Sequence, residues 1–151
     1  MQGAHRRRSE DGTGITRTQY EKLADFRHVL RVFLRFREDA AAAAGLAPQQ
    51  HQALLAIKGF PGGGGVTIGA LAERLQLRHH SVVGLVDRMA RKRLVARRPD
   101  AADRRRVALI VTRRGEALLE KLSLSHRDEL RRLAPRFELL LADLRKKNGG
   151  R

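Results

Sequence analysis

The sequence predicts a mainly α-helical chain with one small β-hairpin, and three observations predict it. Apolar residues recur at helical spacing through most of the 151 residues. Between Leu94 and Val111 that spacing gives way to alternation around a polar, turn-forming run. Against 16 Asp and Glu stand 32 Lys and Arg, a net charge of +16, with more than half of the excess gathered around the alternating stretch. At this length, with 42% hydrophobic residues, the chain forms one domain with a packed core.

Residues 1–14, MQGAHRRRSEDGTG, are polar, charged and glycine-containing, and read as a disordered basic arm. No apolar run follows the arginines, so the arm does not read as a secretory signal. From Thr16 to Ala44, Leu23, Phe26, Leu30, Phe33 and Leu34 lead into an alanine run, which predicts one long helix stopped by Gly45. At about 1.5 Å per residue it measures about 40 Å, too long to be buried within one small domain. Pro48 opens a second helix with Ala53, Leu54 and Ile57 inward. Phe60, Pro61 and Gly62 to Gly65 end it in a flexible loop.

Val66-Thr67-Ile68 reads as a three-residue β-prone stretch, followed by a short helix from Gly69 to Leu75 with Leu71 and Leu75 inward. Gln76-Leu77-Arg78 is a tight turn, and the next helix runs from about His79 to Lys92 with Val82, Leu85, Val86 and Met89 buried. Two helices this close make a helix-turn-helix. Leu94 to Arg97 and Val107 to Val111 read as strands flanking the tip Pro99 to Arg106, and a hairpin in this position makes the winged variant. Thr112 is placed to cap the helix after the hairpin. Leu118, Leu119, Leu122, Leu130, Leu133, Phe137, Leu140, Leu141 and Leu144 carry one or two C-terminal helices, with Pro135 expected to kink or restart the second and the tail from Lys146 to fray.

A charge this large implies a polyanionic partner, nucleic acid first and an acidic membrane surface second. No window approaches the ~18 apolar residues of a membrane span. The absence of cysteine removes disulfides, thiol switches and cysteine-ligated zinc, and fits an intracellular, cytoplasmic protein. No Ser-His-Asp arrangement is visible, and Gly62 to Gly65 lacks the Lys-Ser/Thr ending of a phosphate-cradling loop. Neighbours such as His79 and His80 point about 100° apart on a helix, so they do not make a metal site. The chain therefore reads as no enzyme, with no cofactor and no metal.

Between Leu71 and Arg114 lie thirteen basic and four acidic residues, a local excess of +9. The outward face of the second helix of the pair carries Arg78, His79, His80, Ser81, Val83, Gly84, Asp87, Arg88 and Arg91. In a major groove, its N-terminal side chains meet base edges while flanking cations meet phosphates. His79, His80 and Ser81 bring hydrogen-bonding groups, Val83 an apolar surface for a thymine methyl, and Gly84 room for close approach. At the wing tip, Arg104, Arg105 and Arg106 suit the adjacent minor groove. Asp103 beside them would be repelled by phosphate, so its expected role is to accept hydrogen bonds from a neighbouring arginine and orient it. The alternative for Asp100 and Asp103 is plain turn chemistry.

The run Leu71-Ala72-Glu73-Arg74-Leu75, then Ser81-Val82, Leu85-Val86-Asp87-Arg88-Met89, Leu94-Val95-Ala96-Arg97, and Asp100 to Arg106 through Thr112 and Gly115 resembles the MarR family of regulators, over roughly residues 18 to 146. The Asp-x-x-Asp-Arg-Arg wing and the Thr-x-x-Gly helix start are its most specific signals. The resemblance implies a repressor that binds a near-palindromic operator as a homodimer and is released by a small anionic aromatic effector. It implies a single folded chain over 15–151, with dimerisation helices at 15–47 and 113–147 and a DNA-binding head at 48–112. Two departures stand out. Arg93 occupies the position where the family has a glycine, and Val83-Gly84 replaces a polar or basic pair.

Arg27, His28, Arg31, His51 and Gln52 are candidates for an anionic effector, the alternative being ordinary surface or interface polar residues. The rival function is a basic winged helix that binds RNA, or duplex DNA without sequence preference.

Overall fold

The computed structural model describes residues 15–145, so the arm at 1–14 and the tail from Lys146 lie outside the described residues. Helices α1 (Arg17–Ala43), α2 (Pro48–Lys58), α3 (Ile68–Leu75) and α4 (His79–Arg91) precede strands β1 (Val95–Pro99) and β2 (Val107–Val111), and α5 (Arg113–Arg145) closes the order. The chain divides into two compact units, one joining residues up to Phe33 with those from Leu130, the other spanning Leu34–Glu129.

In the first unit, Phe26, Val29 and Phe33 of α1 pack with Leu133, Phe137 and Leu140 of α5. Phe26 and Phe137 meet edge-on with ring centroids 5.8 Å apart. Ion pairs Lys22–Asp143, at 3.1 Å, and Asp25–Arg136 link the two helical segments. The apolar periodicity of α1 exceeds what this core buries. Tyr20, Leu23 and Leu30 stay exposed on α1, as do Leu139 and Leu141 on α5.

The second unit owes its core to the helix-turn-helix and hairpin. Leu54, Leu71, Leu85, Met89, Leu94 and Leu109 are fully buried, each contributing roughly 1.5–3 kcal/mol by leaving water. Strands β1 and β2 pair antiparallel from Val95 opposite Val111 to Pro99 opposite Val107. Three helices of this chain end in the same motif, a left-handed residue with crossed backbone hydrogen bonds. At Gly45 (φ 74°) the Leu46 N–H reaches the Ala41 carbonyl and the Gly45 N–H that of Ala42. Gln76 (φ 54°) and Arg93 (φ 57°) repeat the pattern without glycine.

Three sequence expectations are corrected. Val66-Thr67-Ile68 is not a strand: Val66 alone bridges Leu109, while the Thr67 hydroxyl accepts from the Ala70 N–H at 3.2 Å and starts α3 at Ile68. The cap outweighs the β preference of the two branched residues. Strand β1 lies one residue later at its start than expected and continues to Pro99, because Leu94 serves in the left-handed ending of α4. Pro135 does not restart a helix; α5 runs through it for 33 residues. Proline removes one donor there, at a cost of about 3 kcal/mol, and the packed residues Leu133, Phe137 and Leu140 hold the turns around it.

Candidate nucleic-acid interface

Helix α4 buries Val82, Leu85, Val86 and Met89, so its opposite stripe, at about 100° per residue, carries His80, Gly84, Asp87 and Arg91 with Arg88 alongside. His79, His80, Ser81, Arg88 and Arg91 are exposed, and Val83 and Gly84 half-buried. Arg78 takes the N-cap position with no side-chain cap bond. The positive end of α4 is thus left open beside an arginine and two histidines, an arrangement that favours an anion.

The wing is built by its two aspartates. Asp100 accepts from the N–H groups of Ala102 (2.7 Å) and Asp103 (3.1 Å), folding the tip. One Asp103 oxygen accepts from both the backbone N–H (3.0 Å) and the Nε (3.2 Å) of Arg105, and Arg106 lies 3.9 Å from the other. The backbone N–H of Arg105, then its side chain, holds the Asp103 carboxyl below the usual aspartate range. Both readings of the aspartates therefore hold, Asp100 as turn chemistry and Asp103 as the orienting acceptor. Arg105 still projects, with 89% of its side chain exposed.

Sequence reasoning missed the link between wing and helix. Asp87 of α4 accepts from Arg97 Nη2 of β1 at 2.5 Å, neutralising the one acid on the outward stripe. It also missed an open cleft lined by Thr67, Ile68, Gly69, His79, Arg106 and Val107, where the first turns of α3 and α4 meet the wing. The signals were present, since Thr67 is a helix-capping residue and His79 and Arg106 stand out as basic candidates, but only the fold brings them together. Arg78, Arg88, Arg91 and Arg104 are exposed and make no ion pair among the described residues.

A second link braces the far end of α4. The Thr112 hydroxyl donates to the Arg93 carbonyl at 2.6 Å and accepts from the Gly115 N–H at 3.1 Å. A Cβ at Gly115 would lie 2.3 Å from the Leu94 carbonyl oxygen, so only glycine fits. This explains the Thr-x-x-Gly pattern as a joint between the end of α4 and the start of α5.

Residues 44–106, from the end of α1 to the wing tip, match the model of the MarR family. That segment is a winged helix similar to those of the MarR family. Solved structures agree in fold. A MarR family protein from Bacillus stearothermophilus is 24% identical, with 87% of this chain and 96% of that one aligned at a TM-score of 0.69. A Staphylococcus aureus MepR variant bound to an oligodeoxyribonucleotide is 23% identical, with coverage of 87% and 94% and a TM-score of 0.61. CouR from Rhodococcus jostii RHA1, bound to p-coumaroyl-CoA, is 24% identical, with coverage of 71% and 73% and a TM-score of 0.62. No curated protein matches significantly.

The effector candidates are divided between the two units. Arg27, His28 and Arg31 are exposed on the part of α1 that belongs to the first unit. In the second unit Gln52 is exposed and His51 is 2% exposed, its ring edge-on to His126 with centroids 4.7 Å apart. Burial, then His126 and Arg37, lowers the His51 pKa from 6.5 to about 4. Burial, then Arg37, also lowers that of His126. Among the described residues no group of three or more His, Cys, Asp or Glu is placed to hold a metal, and no helix is long and apolar enough to cross a membrane.

Proposed function

We propose that the chain is a sequence-specific, double-stranded DNA-binding transcriptional repressor that acts as a homodimer on a near-palindromic operator. The observation that carries this reading is the outward face of α4, where Arg78, Arg88 and Arg91 are exposed without acidic partners beside a wing whose Arg105 is pre-oriented by Asp103. The guanidinium groups of Arg78, Arg88, Arg91 and Arg104, without an ion pair among the described residues, suit phosphates, while His79, His80, Ser81 and Val83 suit base edges. The oligonucleotide bound to the MepR variant supports DNA as the ligand of this fold.

Dimerisation is supported by the apolar side chains that each unit-one helix leaves in water: Tyr20, Leu23 and Leu30 on α1 and Leu139 and Leu141 on α5. A two-fold axis sets two reading helices about one DNA turn apart. The effector is an anion engaged by exposed Arg27, His28 and Arg31. The p-coumaroyl-CoA held by CouR supports that chemistry.

Selection from a pool of random duplexes tests the reading. A consensus with dyad symmetry supports it. Enrichment of no sequence, with binding that falls steeply with salt, replaces it with architectural binding.

A further inference from the structure

Gly84 stands in the middle of α4, where glycine weakens a helix relative to alanine. Two other glycines of the second unit have an internal reason. Gly115 is pressed against the Leu94 carbonyl, and Gly65 combines φ 97° with a Cβ position 3.0 Å from both the Ala108 Cβ and the Leu109 oxygen. Gly84 has neither constraint. Its φ is not in the left-handed region, and a Cβ there would meet nothing nearer than Arg88 Nη1 at 3.4 Å. That is ordinary contact with the tip of a flexible side chain. The fold would accept alanine and gain helix stability, so the fold does not account for the glycine.

The missing methyl leaves a notch in the centre of the outward stripe, with His80 one turn before it, Arg88 one turn after and Arg91 two turns on. Inside a helix the peptide N–H and C=O of Gly84 are occupied by backbone hydrogen bonds, so the notch offers a groove only van der Waals contact. Half-buried Val83 beside it adds apolar surface. Of the groups that the major groove displays, only the thymine 5-methyl is apolar and protruding.

We propose that the Val83–Gly84 notch seats a thymine methyl and that Gly84 thereby selects a T·A pair in each half-site. This rests on the DNA-reading function above and names what the centre of that face reads. His80 and Arg88 are polar donors suited to acceptors, and the flexible Arg88 side chain, whose Nη1 lies 3.4 Å from the Gly84 Cβ position, swings towards phosphate to open the notch to the methyl.

The test uses the full chain and the consensus duplex obtained by selection, with each thymidine replaced in turn by deoxyuridine, which lacks only the methyl. One replacement per half-site is expected to weaken the wild type several-fold. Gly84→Ala should bind the thymidine duplex several-fold more weakly, be indifferent to that same replacement, and melt at a higher temperature, which shows that it is folded. Val83→Ala should reduce the sensitivity to the methyl. Undiminished binding by Gly84→Ala, or a wild type insensitive to every replacement, overturns the proposal and leaves the DNA-reading function standing. A selection that returns no consensus removes both.

Discussion

Arg97 of β1 donates to Asp87 of α4 at 2.5 Å, joining the wing to the reading helix across ten residues of sequence. The pair does two things at once. In the proposed complex it cancels an acid that would face phosphate, and it ties the wing to α4. Both side chains are partly in water, 39% and 49% exposed, so the stability at stake is small, about 0–1 kcal/mol. Asp87→Ala and Arg97→Ala should therefore melt close to the wild type while each weakens DNA binding. Asp87→Arg with Arg97→Asp should recover more affinity than either single charge change. Isothermal titration with the selected duplex, beside a thermal melt, measures both effects.

Arg105 is the side chain that the wing presents with its orientation already set by Asp103. Arg105→Ala should weaken DNA binding without lowering thermal stability, because the side chain is 89% exposed and supports nothing else. Asp103→Asn should weaken binding too, since a neutral amide orients the guanidinium less firmly. Titration at several salt concentrations separates the causes. Loss of a phosphate contact reduces the magnitude of the salt slope by about 1, whereas loss of orientation alone leaves the slope nearly unchanged.

Arg93 sits at φ 57°, a conformation that costs an L-residue with a side chain about 1 kcal/mol or more. Arg93→Gly should stabilise the chain by about 1 kcal/mol in denaturant unfolding. An unchanged or lower stability would mean that the Thr112 hydroxyl, which holds the Arg93 carbonyl, already compensates the strain.

His51 couples stability to pH. Its pKa is 6.5 when unfolded and about 4 in the fold. Above pH 6.5 both states are neutral at this residue and pH has no effect through it. Between 6.5 and 4 only the unfolded chain takes up the proton, so stability falls with falling pH by up to about 1.4 kcal/mol per unit. His126, also lowered, acts in the same direction. His51→Phe keeps an edge-on ring against His126 and removes the titration. Chemical denaturation at pH 7 and 4.5 should show a smaller loss for the variant than for the wild type.

The head was legible in the sequence because local patterns agree there with the tertiary outcome. Val82, Leu85, Val86 and Met89 are buried as their spacing required, and Thr112 caps α5 as its position suggested. What stayed hidden depends on partners distant in sequence. Periodicity marks Leu23, Leu30 and Leu34 as one apolar face of α1, yet all three remain over a third exposed, because spacing says which side is apolar and not what covers it. The Arg97–Asp87 pair was invisible because both residues belong to a long roll of charges, and only the hairpin geometry singles them out. Val66 and Pro135 misled because a cap and a packed helix outweighed their intrinsic preferences.

The proposed function is specific reading of duplex DNA by the winged head. It is tested by titrating the full chain, at several salt concentrations, against the duplex upstream of its own gene, the selected consensus and a scrambled duplex, each with excess random competitor. Binding to the consensus should be tight and survive competitor, while the scrambled duplex is displaced. Equal binding to all three, lost together as salt rises, would contradict it.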